Sequence, residues 1–338
     1  MLTRNSYGLD LGTCEIKVFD RKKKSIWREK NVLALREGEV FAVGNKAYRM
    51  YEKASREAEL SFPMKEGTIA HIEHMQDILE RILRISRGFP GGTEYVAILP
   101  ADITQLERLA FFDLFLHSEA RPRSVRSVEK GIADAVGMGL DVMEEKGIFV
   151  VDFGGETTQL SVLSSGELIF NRMIRTGGRH FDRAVVSLVR RNHDFVIGTS
   201  SAERLRREFG VSRKNSGECL AVSGRDLLDG TLSHVEIKGG LVQAAMRDLL
   251  EETADSVCAA IGRIPPDVRR AVETQGIFLT GGVAATKGLA GYLRRKTGLP
   301  VLTAKSPGLC SARGLRGIMT DKIYYKSLTR PMSDKNDR

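Results

Sequence analysis

With 338 residues, 42% hydrophobic and 28% charged, the chain can hold two domains with their own cores and is too apolar for a disordered polymer. Its 52 Lys and Arg against 43 Asp and Glu leave a net charge of +9, which favours an anionic partner. No basic stripe interleaved with aromatics is present, which argues against nucleic acid, and no apolar run approaches the ~20 residues of a membrane span. The expected location is therefore cytoplasmic, with any membrane contact peripheral. Cys14, Cys219, Cys258 and Cys310 are scattered without a Cys-x-x-Cys pair, and read as buried free thiols in a reducing compartment. Residues 1–6 leave no room for a signal peptide before the first strand.

That first strand opens Tyr7–Asp20, YGLDLGTCEIKVFD: an apolar run into Asp10, then Gly12, Thr13 and Cys14, then a return through Ile16 and Val18. Arg21–Lys24 reads as a turn, and residues 25–43 as short strands, with 31–35 and 40–43 the clearest. Residues 47–60 form a charged helical stretch and 61–67, SFPMKEG, a connection rich in breakers. From His71 to Ile85 the apolar residues Ile72, Met75, Ile78, Leu79, Ile82 and Leu83 recur at helical spacing. A turn with an exposed-looking Phe89 follows at residues 88–92, then a core strand at 95–99 ended by Pro100. A helix over 103–115, a strand over 124–128 and a small-residue helix over 130–140 suited to tight packing on a sheet complete the first half.

The second half opens on Gly147–Leu163, GIFVVDFGGETTQLSVL. Its β-branched and aromatic residues read as a buried strand ending at Asp152, with Gly154, Gly155, Thr157 and Thr158 at the tip of a hairpin. Glycines let backbone approach an anion, N–H groups in a turn cradle phosphate, and a carboxylate beside them suits a hydrated Mg²⁺ bridging to phosphate oxygens. An ordinary tight hairpin would look the same on this stretch alone. A strand over 167–174 follows, then Gly177-Gly178 leading into a helix over 183–191. A short charged helix spans 202–209, and 212–229 is polar with a strand at 219–222. A long helix over 241–261 is ended by Pro265-Pro266. The strand GIFLTGG then runs into Gly281-Gly282, followed by a helix over 287–297, a strand at 301–303, a helix over 309–319 and a polar tail.

Two Asp-x-Gly hairpins far apart indicate an internally duplicated fold. With the GIFLTGG strand they resemble the actin/Hsp70/sugar-kinase ATPase superfamily, and within it the MreB-type bacterial actins, the rod shape-determining family. PMKEGTIA at 63–70, DITQLER at 102–108, AERLR at 202–206, TGLPV at 297–301 and Ala312-Arg313-Gly314 carry that resemblance, which spans about residues 7–319. It implies a two-lobed actin-like ATPase fold of the α/β class, with duplicated ribonuclease-H-like domains and a nucleotide cleft between them. The expected boundaries are domain I over 1–140, with a C-terminal helix at 309–325 packing back on it, domain II over 141–308, and a mobile tail over 326–338.

The resemblance also implies ATP and Mg²⁺ as cofactors. Asp10 and Asp152 would serve the metal and the chemistry, with Gly12, Thr13, Cys14, Gly154, Gly155, Thr157, Gly281 and Gly282 around the nucleotide. Glu203 and Arg206, on one helix face, would hold the adenosine side. Implied partners are the chain itself in a head-to-tail filament, the anionic inner membrane surface and the cell-wall elongation proteins. Several residues depart from the family pattern. Lys130-Gly131 stands where the family has Glu-Pro, its Glu polarising the attacking water, while Glu129 falls one residue earlier. A lysine is no general base at neutral pH unless its pKa is strongly lowered, so any ATPase is expected to be slow. Glu15 and Glu156 bring extra carboxylates to the two turns, and Val283 replaces a third glycine, so weakened ATP binding is a further expectation. The alternative functions are a nucleotide-gated, non-polymerising adaptor and an Hsp70-like ATPase.

Overall fold

The computed structural model describes residues 5–52, 59–83, 92–117 and 122–332. The chain divides into two compact units, Met1–Glu145 with Leu163–Met173 and Leu309–Arg338, and Lys146–Val162 with Ile174–Gly308.

The first unit begins with β1 (Ser6–Leu11), β2 (Glu15–Asp20) and β3 (Ser25–Lys30), then β4 (Leu33–Arg36), β5 (Glu39–Val43), α1 (Gly44–Glu52) and β6 (Glu59–Ser61). The two-residue strands β7 (Met64–Lys65) and β8 (Thr68–Ile69) precede α2 (Ile72–Leu83), β9 (Thr93–Leu99), α3 (Gln105–Leu116), β10 (Pro122–Glu129) and α4 (Lys130–Met138). The second unit carries β11 (Lys146–Phe153) and β12 (Thr158–Ser164). After β13 (Glu167–Ile174), most of which belongs to the first unit, come α5 (Gly178–His193), β14 (Phe195–Ile197) and α6 (Thr199–Phe209). β15 (Cys219–Asp226), β16 (Leu232–Lys238), α7 (Gly239–Arg263), α8 (Pro266–Gln275), β17 (Ile277–Thr280), α9 (Leu289–Thr297) and β18 (Val301–Thr303) complete it. The chain then returns to the first unit with α10 (Cys310–Thr320), α11 (Lys322–Leu328) and β19 (Arg330–Pro331).

The first unit is built on a sheet of order β19-β10-β9-β1-β2-β3, in which β1 lies parallel to β9 and antiparallel to β2. Period-2 alternation sends Leu9, Ile16 and Val18 to one face, where they pack with Met75 and Ile78 of α2 and Phe111 and Phe115 of α3. α3 is started by a capping box: the Glu107 N–H donates to Thr104 Oγ1 at 3.2 Å and the Thr104 N–H to Glu107 Oε2 at 2.7 Å. On β1 a Cβ at Gly8 would meet Met319 Sδ at 2.8 Å, so α10 lies directly on the strand. α4 and α10 approach closely enough that a Cβ at Gly137 would fall 1.9 Å from the Cys310 carbonyl oxygen, and one at Gly314 would fall 1.7 Å from that of Ala133. The small residues of α4 thus serve chiefly a helix–helix contact rather than the sheet contact expected.

In the second unit the order is β12-β11-β17-β18, with β11 parallel to β17 and β17 to β18. Ile148, Phe149, Val150 and Val151 are all buried, as a parallel strand covered on both faces requires. A separate antiparallel sheet has the order β14-β15-β16.

Several elements differ from expectation. The charged helix starts at Gly44, and Glu59-Leu60 belong to strand β6. The breaker-rich 61–67 holds β7. Gly178, Phe181 and Asp182 lie inside α5 rather than ahead of it. β14, β16 and α8 are not among the expected elements, the expected helix over 309–325 is two helices, α10 and α11, and the end of α11 and β19 occupy the start of the expected mobile tail, with Ser127 of β10 in register with Arg330. The four thiols are free, but Cys219 is exposed and only Cys310 is buried. Residues 84–91, with Phe89, and 333–338 lie outside the described residues.

Replacing Gly137 with Ala forces Cβ into backbone and should destabilise the protein by about 1–3 kcal/mol in urea unfolding. Gly262→Ala, near the end of α7 with open space around it, should instead stabilise by about 0.5–1 kcal/mol.

Candidate functional site

Both Asp-x-Gly turns close in the same way. In the first, the Gly12 N–H donates to the Glu15 carbonyl at 3.2 Å; in the second, the Gly154 N–H donates to the Thr157 carbonyl at 2.8 Å. A Cβ at Gly12 would sit 2.7 Å from that carbonyl and one at Gly154 2.9 Å from its counterpart, so each turn excludes a side chain at its first glycine. The aspartate two residues earlier is buried in each, Asp10 at 3% and Asp152 at 4% exposure.

The first turn is held by its own unit. Asn31 Nδ2 donates to the Gly12 carbonyl at 3.0 Å, the Asn31 N–H to the Cys14 carbonyl at 3.1 Å, and the Gly67 N–H to Thr13 Oγ1 at 3.3 Å. Lys17, directly opposite Asp10 in the β1–β2 register, places Nζ 2.9 Å from Asp10 Oδ2. Lys130, the first residue of α4, places Nζ 3.5 Å from Asp10 Oδ1 and donates to Ser311 Oγ at 3.1 Å. Burial pushes the Asp10 carboxyl up, but Lys130, Lys17 and the hydrogen bonds from Lys17 and Ser311 outweigh it and hold the group well below the usual carboxylate range.

Each oxygen of Asp10 therefore faces an ammonium, and this does not suit a carboxylate meant to hold Mg²⁺. At ~4 Å and an effective dielectric of about 20, an ammonium repels each unit of a cation's charge by about 4 kcal/mol. Lys130 thus stands where the family resemblance puts a water-polarising Glu, committed to Asp10 and Ser311. Glu129 beside it faces Arg108 Nη2 at 3.5 Å; burial raises its carboxyl, and Arg108 offsets this only in part.

Around the second turn, Thr280 Oγ1 donates to Asp152 Oδ2 at 3.3 Å, from the position in β17 opposite Asp152. The Gly178 N–H donates to the Gly154 carbonyl at 3.1 Å and the Arg179 N–H to the Gly155 carbonyl at 2.7 Å, which anchors the turn on the start of α5. Gly281, at φ +84°, passes so close that a Cβ would meet the Phe153 carbonyl at 2.3 Å. Asp152, Gly154, Gly155, Thr157 and Gly281 are therefore brought together, with Gly282 next in chain.

The two additional carboxylates are compensated locally. Glu15 Oε1 lies 2.9 Å from Lys30 Nζ, with Arg28 at 3.7 Å from Oε2. Burial raises Glu15, yet Lys30 foremost holds it below its ordinary value. Glu156, 5% exposed, pairs with Arg179 at 2.9 Å and Arg183 at 3.7 Å. Each of these two carboxylates thus has cationic partners of its own. Val283 packs toward Gly178, whose added Cβ would meet its Cγ2 at 2.8 Å.

Arg206, expected on the adenosine side with Glu203, is tied to Asp182 of α5. Its side chain is 5% exposed, with Nε 2.6 Å and Nη2 3.4 Å from the two oxygens of Asp182, and Nη1 3.4 Å from Thr286 Oγ1. Burial raises the Asp182 carboxyl even against this guanidinium. Glu203 lies further out on the same helix and pairs with Arg207 at 2.6 Å. Sequence reasoning missed Lys17, Ser311, Asp182, Arg179 and Thr280. Only Lys17 had a readable signal, since closing the hairpin places it opposite Asp10.

The family model described as MreB/Mbl protein matches residues 4–327. The cell shape-determining protein MreB of Escherichia coli (strain K12) is 31% identical over 320 residues, 92% of each chain. The cell shape-determining protein Mbl of Bacillus subtilis (strain 168) is 27% identical over 321 residues, 94% of this chain and 96% of the relative. Among solved structures, MreB5 of Spiroplasma citri bound to AMPPNP superposes with a TM-score of 0.89 at 24% identity, covering 96% of this chain and 98% of the other. The MamK double helical filament gives 0.78 at 17% identity over 94% and 99%.

Asp10 contributes stability that is complete above the usual carboxylate range and is lost as pH falls, because its folded pKa lies below its unfolded one. The double variant Lys17→Met/Lys130→Met strands a buried carboxylate and should lose about 3–5 kcal/mol at neutral pH. The gap to the parent should narrow as pH drops through the carboxylate range, read by urea unfolding at a series of pH values.

Proposed function

The chain belongs to the MreB/Mbl family and has the two-lobed actin-like α/β fold; on that footing we propose that it binds adenine nucleotide and polymerises as a cell-shape cytoskeletal protein. The observation that carries this reading is the paired turn: an Asp-x-Gly hairpin closed by the same backbone hydrogen bond at the end of a buried strand in each unit. Such turns present backbone N–H groups to an anion, which suits phosphate. In this reading Gly12, Thr13 and Cys14 of one turn and Gly154, Gly155 and Thr157 of the other meet the phosphates, with Gly281, Gly282 and Glu203 on the adenosine side. Support for the nucleotide comes from MreB5, solved bound to AMPPNP and to ADP, and support for self-association from MamK, solved as a double helical filament.

Head-to-tail association of identical subunits that does not close into a ring extends into filaments. Sedimentation is the test: the protein should pellet with ATP or AMPPNP and stay in the supernatant without nucleotide. Indifference to nucleotide, or no pelleting at any concentration, would contradict the reading.

Hydrolysis is proposed to be slow, because Lys130 occupies the water-polarising position and a protonated amine accepts no proton. Lys130→Glu should raise phosphate release; brisk release by the parent, unchanged in Lys130→Ala, would remove Lys130 from the mechanism.

The charge of +9 supports a peripheral site on an anionic membrane, where cell-wall elongation proteins would be met. Among the described residues no helix is long and apolar enough to cross a membrane. Liposome co-sedimentation should need anionic lipid, weaken with salt and drop for Phe89→Ser; undiminished binding by that variant would move the contact to the basic C-terminal segment.

A further inference from the structure

The Asp10 turn is already supplied with the positive charge that a divalent cation would bring to a phosphate site. Lys17 Nζ and Lys130 Nζ stand on opposite oxygens of the one carboxylate, at 2.9 and 3.5 Å. Both side chains are 13% exposed, so neither cation is sealed in the core. Their positions are fixed by different elements: Lys17 by the β1–β2 register, Lys130 by the start of α4 and its bond to Ser311 of α10. Lys17 also borders the glycine turn, since a Cβ at Gly12 would lie 3.9 Å from its Nζ. One carboxylate and two ammonium groups leave a local charge of +1 beside that turn. An ammonium carries three donors and binds phosphate oxygens as a point charge.

From this arrangement we infer that the first turn is a cation-independent phosphate site, in which Lys17 and Lys130 together take the place of the divalent metal at Asp10. The inference rests on the nucleotide-binding reading and adds to it the loss of a metal requirement. A dication approaching Asp10 would have to displace an ammonium and then sit beside both. A polyphosphate meets no such obstacle, because its oxygens approach the lysines and leave Asp10 paired.

The experiment is calorimetric titration of the full chain with AMPPNP, in buffer containing Mg²⁺ and in metal-free buffer with excess EDTA. The parent should bind with affinities within about threefold of each other, a difference of at most about 0.65 kcal/mol. Lys130→Glu, which replaces an ammonium by a second carboxylate, should bind at least about tenfold more weakly in EDTA than in Mg²⁺. If that variant does not fold, Lys17→Met gives the same comparison, and thermal melts identify folded material. A tenfold or greater loss by the parent in EDTA overturns the inference while leaving nucleotide binding in place. No binding by the parent in either buffer overturns the nucleotide reading and this inference with it.

Discussion

A carboxylate buried to 3% exposure at the end of a core strand must be compensated, and the first unit is arranged around how Asp10 is compensated. Four segments converge on it. β1 carries the carboxylate, β2 brings Lys17, α4 begins with Lys130, and α10 supplies the hydroxyl of Ser311. For α4 and α10 to meet there, their backbones must nearly touch, and Gly137 and Gly314 permit it. Gly8 lets α10 rest on the strand behind Asp10. The glycines of this unit and its buried charge cluster are thus parts of one constraint: a negative group inside the fold, with partners held by close backbone packing.

The second unit carries buried carboxylates of its own, Asp152, Glu156 and Asp182. Asp152 occupies the same place relative to its turn and accepts from the hydroxyl of Thr280 on the neighbouring strand. In this unit Arg179 and Arg183 pair with Glu156, and Arg206 pairs with Asp182.

Much of the scaffold was legible because its signals are local. The two Asp-x-Gly tips, flanked by strands of buried β-branched residues, appear where the pattern puts them, and α2 follows its apolar period. Elements were lost where one local rule was read too strongly. Leu232–Lys238 alternates as a half-buried strand does, but its polar surroundings hid β16. Pro265-Pro266 was read as the end of a helix, whereas a proline at the first helical position also begins one, here α8. The site partners were harder. Ser311 lies 181 residues from Lys130 and Asp182 lies 24 from Arg206, and nothing in the spacing of either pair announces contact. Ion pairing across a fold is set by packing, which a single sequence does not display.

The most direct test of the account is thermal unfolding of the intact protein against increasing AMPPNP. A ligand that binds only the folded state raises the melting temperature progressively with its concentration. The account predicts a rise that continues with each increment of AMPPNP and is absent with equal concentrations of adenosine, which lacks the phosphates that the proposed reading assigns to the glycine turns. A melting temperature unmoved by AMPPNP, or moved equally by adenosine, would contradict it.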